Sequence, residues 1–438
     1  MKTNQNSVAN PAATQNKVNK SKISLKLWQK IIIGMFLGMC SGLLIEMSVN
    51  SGSTFFSDTG ITQGLLDAST IYMNLLKMIV VPVVFFAILY GITSIDDMET
   101  FGRLGSKAIA IYMTVTVIAI IVGIGFGLIF NPGQGIELTG LSANSGANQN
   151  YQTIRGILMG IITTNIVKSM ADGQILQVVV FAFFLGTSLV MIGEKAAPAK
   201  TVIVSFTQAI FKLVEIVIRT TPYGIFAIMA SMIPQYGLDI VATLGKLMLV
   251  VIGALIIQYL LFAVMLVLAK INPIPFYKKM VVTQALAFAS SSSKATIGTA
   301  IEELMYKMGV SQKTATFILP LGASINMTAT AIYLGITAIF FAQVYAIDLS
   351  ISQYILIIFT STIGSIGAAG FPGGGIIMMG MVLSSAGIPI EGIPLLMGID
   401  RILDMCRTMI NITGDCVVTV IVDKIEGSIN MKRYLKEM

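Results

Sequence analysis

Apolar runs recur along the chain at lengths that match a bilayer better than a globular core. A helix needs about 20 predominantly apolar residues to cross the hydrocarbon. Stretches of that order run from Leu27 to Met47, Leu65 to Thr93, Ser106 to Phe130, Leu176 to Ile192, Ile203 to Ile233 and Leu244 to Leu268. These predict membrane helices, and a shorter, weakly apolar segment from Ile154 to Ile166 predicts a helix lying partly in the interface.

The C-terminal third breaks this pattern, because clusters of small residues interrupt its apolar runs midway. Ala289 to Ser293 separates Met280–Phe288 from Ala295–Leu304, and Gly364 to Gly375 separates Tyr354–Ile363 from Ile376–Ala386. Each arm is about half a bilayer long. Irregular backbone at membrane depth is tolerated only where protein or a cavity satisfies it. Two such interruptions therefore predict a pair of re-entrant hairpins and point to the binding site of a secondary transporter.

Composition sharpens the class. Of 438 residues, 55% are hydrophobic and 11% charged, too little polar material to cover a soluble domain of this size. The net charge of +7 is informative through its placement. Lys17, Lys20, Lys22, Lys26 and Lys30 precede or open the first run, Arg103 and Lys107 follow the second, and Lys195, Lys200, Lys278, Lys279, Lys432, Arg433 and Lys436 fall in alternate later connections. Residues 49–64, 131–152, 234–239, 344–353 and 384–394 contain no Lys or Arg and are expected to face outward. Both chain ends are expected on the cytoplasmic side. Residues 1–22 are polar and lack a cleavage signature, so they predict a disordered cytoplasmic tail. Cys40, Cys406 and Cys416 have no metal or redox spacing.

One late helix carries an unusual face. At about 100° per residue, Asp400, Asp404, Arg407, Asn411 and Asp415 share an arc of roughly 80°, with Thr408 at its edge. Ionisable groups at mid-membrane cost at least about 2.5 kcal/mol each, so this face must look into protein or a water-filled cavity. Internal pairing of Arg407 with Asp404 or Asp400 is one use of it. The other is a ligand. A planar guanidinium suits a carboxylate, and Asp404 one turn away suits an ammonium, which together describe an acidic amino acid.

The Ser290–Ser293 tip, the segment Asn326-Met327-Thr328-Ala329-Thr330, the Gly-rich tip ending Phe371-Pro372-Gly373, and Asp404-x-x-Arg407-Thr408-x-x-Asn411-x-x-Gly414-Asp415 occur in one order. In these motifs, and over nearly all the chain after residue 22, the sequence resembles the glutamate transporter homologues, or dicarboxylate/amino acid:cation symporters. The resemblance implies an all-α integral membrane protein with eight transmembrane helices and two re-entrant helical hairpins, working as a homotrimeric elevator. Residues 23–275 would be mainly scaffold and trimerisation helices, with helices 3 and 6 in the transport domain, and 276–430 would be the transport core. It further implies that Arg407 binds the substrate side-chain carboxylate and Asp404 its amino group, helped by Asn411, Thr408 and Thr330. Ser291 and Ser293 would hold the α-carboxylate, with Phe371 to Gly375 as the outer gate. Asp415 with Gly322, Asn326 and Asn411 would form one sodium site, and Ser324, Met327, Ser365, Ile366 and Ala368 another.

The chain departs from the family at a third sodium site. Thr328 stands where the family motif has Asp, and Val115, between Tyr112 and Thr116, stands where sodium-coupled members carry a hydroxyl. That site is expected to be degraded, leaving coupling to protons or to fewer sodium ions, with no other cofactor. Lys294, beside the serine tip, is expected to snorkel to cytoplasmic water or to replace a cation. The leading expectation is an acidic amino acid symporter in the cytoplasmic membrane, with a C4-dicarboxylate or neutral amino acid symporter as alternatives. An ion channel would want a repeated filter, which the sequence lacks. A hydrolase would want a base for its serines, and the chain has no His.

Overall fold

The computed structural model describes residues 27–93, 104–135, 160, 162–237, 239–367 and 374–436. Among them the regular structure is entirely helical. Numbering only helices of ten or more residues, the chain runs α1 (Leu27–Asn50), α2 (Ile61–Thr93), α3 (Ser106–Phe130), α4 (Ile175–Ile192), α5 (Ala197–Arg219), α6 (Thr221–Tyr236) and α7 (Asp239–Leu268). It continues through α8 (Val281–Ser290), α9 (Ser293–Glu302), α10 (Gln312–Ile325), α11 (Thr328–Val344), α12 (Ile351–Gly367), α13 (Gly374–Ser385) and α14 (Ile393–Ile425).

Six helical stretches are long and apolar enough to cross a bilayer, and their burial divides them. The windows within Gln312–Val344 and Leu395–Ile425 are 94% and 83% buried, against 28% for Gln29–Asn50 and 22% for Gln177–Arg219. So α10, α11 and α14 form the interior, while α1, α4 and α5 turn large apolar side chains such as Phe36, Leu44 and Phe184 outward. With no hydrophobic drive between helices in lipid, close packing must come from small residues. Gly34, Gly38 and Gly42, spaced four apart on one face of α1, lie against the α6 backbone or side chains at Pro222, Phe226, Met229 and Ile233. Gly123 and Gly127 of α3 do the same against Ile332 and Ile339 of α11. That second seam is closed at one end by Gln343, whose amide donates to Gly127 O (3.1 Å) and Asn131 Oδ1 (2.9 Å) and whose Oε1 accepts from Gly133 N (2.9 Å).

Two features differ from the sequence expectation. The single run expected from Ile203 to Ile233 breaks at Thr220, because Pro222 two residues on removes a backbone donor and restarts the helix. The helix expected at Ile154–Ile166 falls mostly outside the described residues, and the described helix there is Ile166–Ala171. A stretch for which the sequence sets no span, Gln312 to Val344, parts between α10 and α11 at Asn326 and Met327, both of which leave helical geometry.

The two interrupted segments fold back on themselves. Arms α8 and α9 pack together around Ser291, which adopts the left-handed conformation (φ 52°), and the Ser292 side chain caps α9 by accepting from Ala295 N. At ten residues, each arm is about 15 Å long. Arms α12 and α13 also pack together; of their expected tip, Gly364 to Gly375, both ends are helical, while residues 368–373 lie outside the described residues, as does the expected tail 1–22.

The α3–α11 seam gives a direct test. A Cβ at Gly123 would stand 2.6 Å from Ile332 O, whereas one at Gly125 meets nothing within 4 Å. Gly123→Leu should lower stability by about 1–3 kcal/mol through overpacking, read as a depressed unfolding midpoint in detergent, while Gly125→Leu should leave it nearly unchanged.

Candidate functional site

Three elements meet α14 at one cleft: the α8–α9 turn with Ser291, Ser292 and Ser293, the start of α11 with Met327 and Thr330, and the first residues of α13, Gly374 and Gly375. From α14 come Asp404, Thr408 and Asn411. Each contribution is a broken helix end or a polar face that lipid could not accommodate. The cleft is narrow, about 20 Å³, room for roughly one water molecule. The Ser291 hydroxyl is buried there without a hydrogen-bond partner among the described residues.

Arg407 lies behind this lining, 1% exposed. One nitrogen, Nη2, donates to both Asp400 Oδ1 (2.9 Å) and Asp404 Oδ1 (3.2 Å), and the guanidinium carbon sits 4.1 Å from the Tyr333 ring centroid. The helix-spaced pairing expected from sequence is therefore present. It is incomplete: among the described residues Nε and Nη1 are buried with no hydrogen-bond partner, as is Asp404 Oδ2, whose nearest cation, Arg401, is 3.8 Å away. Two carboxylates are engaged by one corner of the guanidinium, which leaves the remaining donors for another acceptor. A Cβ on Gly375 would stand 3.4 Å from Arg407 Nη2, ordinary van der Waals contact, so the start of α13 packs directly over the guanidinium.

Two turns along α14, Asp415 is fully buried in a separate polar knot. Its Oδ1 accepts from Asn326 Nδ2 (2.8 Å), Asn326 N donates to Gly322 O (2.7 Å), and Asn326 Oδ1 accepts from Thr328 Oγ1 (2.7 Å). Asn411 joins from the neighbouring turn, accepting from Ala329 N (2.8 Å) and donating to Met327 Sδ (3.0 Å) and Thr330 Oγ1 (3.5 Å). Gly322 is held against both Tyr112 Oη and Asp415 Oδ1, where no Cβ would fit. The second carboxylate oxygen, Asp415 Oδ2, is buried with no hydrogen-bond partner among the described residues. A lone anionic oxygen in such a place is a site for a cation or a proton.

The remaining sequence candidates are less tightly drawn together. Ser324 donates to Pro320 O (2.8 Å) and Ser365 to Thr362 O (2.7 Å), each occupied within its own helix. Ile366 is half-buried beside Ser365, and Ala368 and Phe371 lie outside the described residues. Around the third set, Tyr112 reaches Ile318 O at 3.5 Å, Val115 is buried, and Thr116 Oγ1 is buried without a hydrogen-bond partner among the described residues. Thr328 uses its proton on Asn326, so this group offers no carboxylate of its own. Lys294, half-buried, makes a contact outside both expectations: its ammonium stands over the rings of Tyr90 on α2 (5.5 Å) and Phe211 on α5 (5.9 Å), a cation–π contact.

Sequence reasoning missed Tyr333 and Arg401. Tyr333 gives no signal in a helix that is apolar all round. Arg401, whose Nη1 stands 3.8 Å from Asp404 Oδ2, is one residue off the polar face and is legible only once that face is folded.

With this geometry in hand, known proteins supply the context. The Sodium:dicarboxylate symporter family matches residues 27–425. The chain is 30% identical to a proton/sodium-glutamate symport protein of Bacillus caldotenax over 92% of its own length and 97% of the relative's. It is 32% identical to a proton/glutamate-aspartate symporter of Escherichia coli (93% and 94%) and 31% identical to a C4-dicarboxylate transport protein of Rhodospirillum rubrum (93% and 91%).

The Arg407 pairs should differ in weight. Asp400→Asn removes the shorter and more buried contact, so it should depress the unfolding midpoint by the equivalent of about 1–3 kcal/mol. Asp404→Asn, at the more open partner, should depress it less, and the reverse order by scanning calorimetry would contradict the assignment.

Proposed function

The chain belongs to the sodium:dicarboxylate symporter family, and from that premise we propose that it imports glutamate or aspartate by symport with protons or a reduced number of sodium ions. It is a multi-pass membrane protein and not an enzyme. One observation carries the substrate reading: directly behind the cleft a buried guanidinium has two nitrogens without a hydrogen-bond partner among the described residues, and the carboxylate beside it, Asp404 in the cleft lining, has an oxygen with only a 3.8 Å contact to Arg401. In this reading the substrate's side-chain carboxylate takes a donor that Arg407 leaves unused, Nε or Nη1, and its ammonium takes Asp404 Oδ2. Thr408, Asn411 and Thr330 hold the polar remainder, and Ser291 and Ser293 hold the α-carboxylate. The cleft must open to admit it, and Phe371 to Gly375, at and before the start of α13, are the gate.

For coupling, Asp415 with Gly322, Asn326 and Asn411 is the first cation site, its orphaned Oδ2 being the support. Ser324, Met327, Ser365, Ile366 and Ala368 are the second. The third, at Tyr112, Val115, Thr116 and Thr328, lacks an anionic ligand, and desolvating sodium without one is unfavourable by several kcal/mol. We assign it no sodium.

The reading extends to movement. Helices α8 to α14 with α3 and α7 form a transport domain with two re-entrant hairpins, α8–α9 and α12–α13. Helices α1, α2 and α4 to α6 form the scaffold of a homotrimer in the cytoplasmic membrane, both termini inside, giving eight membrane helices in all. Glycine contacts support this division. Helix glycines at which an added Cβ would stand within about 3 Å of another helix's backbone pair α1 with α6 or α3 with α11, inside one body. Gly398 of α14 meets the other body only through the flexible Met35 side chain.

A C4-dicarboxylate substrate is the second reading, favoured by the relative of that name and by Arg401 beside Asp404, which reduces that carboxylate's need for an ammonium. Binding to Asp404→Asn separates the two. If the substrate is an amino acid, the variant should lose at least about tenfold in aspartate affinity, a single charged hydrogen bond, with little loss for succinate. Equal losses would remove Asp404 from the ligand.

Coupling is tested by labelled aspartate uptake into proteoliposomes with sodium and pH gradients imposed separately, together with calorimetric affinity across sodium concentrations at fixed ionic strength. Uptake should respond to the proton gradient, and affinity should rise less steeply than the third power of sodium. A third-power dependence would restore the degraded site.

A further inference from the structure

A second cavity lies apart from the cleft. It is a groove of about 780 Å³ between α1 and the α5–α6 bend, with Arg401 of α14 entering from the side. The groove is polarised. Because Gly34 packs on Pro222 and Gly38 on Phe226, α1 and α6 run parallel, so Lys30 stands at the level of Arg219 while Leu37 stands at the level of Phe226. One end is therefore cationic and the other apolar.

The charges do not cancel. Lys30 is exposed and forms no ion pair among the described residues. Glu215, the one carboxylate in the lining, is shared between Lys212 (2.7 Å) and Arg219 (2.5 Å). Among the described residues Arg401 keeps its Nε buried with no hydrogen-bond partner, and the carboxylate it pairs with, Asp404, is 3.8 Å away. The groove thus presents a guanidinium with unused donors, a second guanidinium and a free ammonium above an apolar trough. It opens on α1 and α5, the helices least buried by the rest of the chain.

We propose that this groove holds one anionic phospholipid, its headgroup phosphate on Lys30, Arg219 and Arg401 and an acyl chain along Leu37 and Phe226. Basic pockets between membrane helices on the cytoplasmic side recognise anionic headgroups in this way. The residues ahead of α1 are a poor occupant, since 1–26 contain five lysines, no carboxylate and little apolar surface. The assignment needs neither substrate nor gradient, so it stands or falls apart from the transport reading.

The test is native mass spectrometry of the full chain released from micelles containing equal phosphatidylglycerol and phosphatidylcholine. Wild type should retain one phosphatidylglycerol per chain in clear excess over phosphatidylcholine. Each Lys or Arg near an anionic headgroup is worth about fivefold, so Lys30→Gln with Arg219→Gln should cut the preference by roughly 30-fold. Arg401→Gln should cut it by about fivefold. Leu37→Trp, which fills the apolar end, should remove adducts of both lipids while leaving the charges in place. Equal retention of the two lipids by wild type, an unchanged preference in both charge variants, or adducts that survive Leu37→Trp would overturn the proposal, as would a cysteine cross-link from position 37 to a second copy of the chain.

Discussion

A guanidinium cannot be left alone inside a membrane, and much of the C-terminal architecture answers that constraint. Arg407 is held by Asp400, Asp404 and the face of Tyr333. Each of these must itself be shielded from lipid, so α14 and the Tyr333-bearing α11 are driven to the centre and the more lipid-compatible helices are left outside. The start of α13 at Gly375 adds to the shield, lying close against the guanidinium. Breaking a buried pair leaves an uncompensated charge and costs more than the pair contributes. The site can therefore release Arg407 from its internal partners only by offering an equivalent acceptor.

The polar face of α14 was legible because a 3.6-residue period leaves little freedom once five polar residues recur at that spacing. The hairpin arms were legible for a similar reason, since runs of small residues inside apolar segments have few uses in lipid. What could not be read were features set by tertiary partners. Nothing local marks Asn326 and Met327 as the end of α10, because their flanks are as apolar as a continuous span, and only the family resemblance singled out that segment. Lys294 was expected at water or at a cation site because a lysine near a polar tip ordinarily finds one or the other. The rings of Tyr90 and Phe211 come from helices distant in sequence, and no pattern along the chain announces them. Thr328 could be seen as a lost carboxylate, but not as the residue that fixes Asn326.

Helix breaks do two jobs in this fold. At Ser291 and at Asn326–Met327 they free backbone groups that lipid would penalise, and they put those groups where α14 brings charge. A membrane helix satisfies its own backbone and so has nothing to offer a solute. Interrupting it beside a polar face converts a structural cost into binding capacity, as the helix-end logic of soluble anion sites does with hydration as the alternative.

The hydrogen bonds at Asp415 have a direction. Thr328 gives its proton to Asn326, and Asn326 gives its own to Asp415, so the dipoles of the chain all point at one carboxylate. Oδ1 keeps its lone pairs whether a proton or a cation sits on Oδ2, so the Asn326 amide can go on donating to it while Oδ2 is filled. The relay thus fixes the carboxylate by one oxygen and leaves the other to be occupied or vacated with no helix displaced and no polarity reversed, in the same first turn of α11 from which Thr330 reaches the cleft.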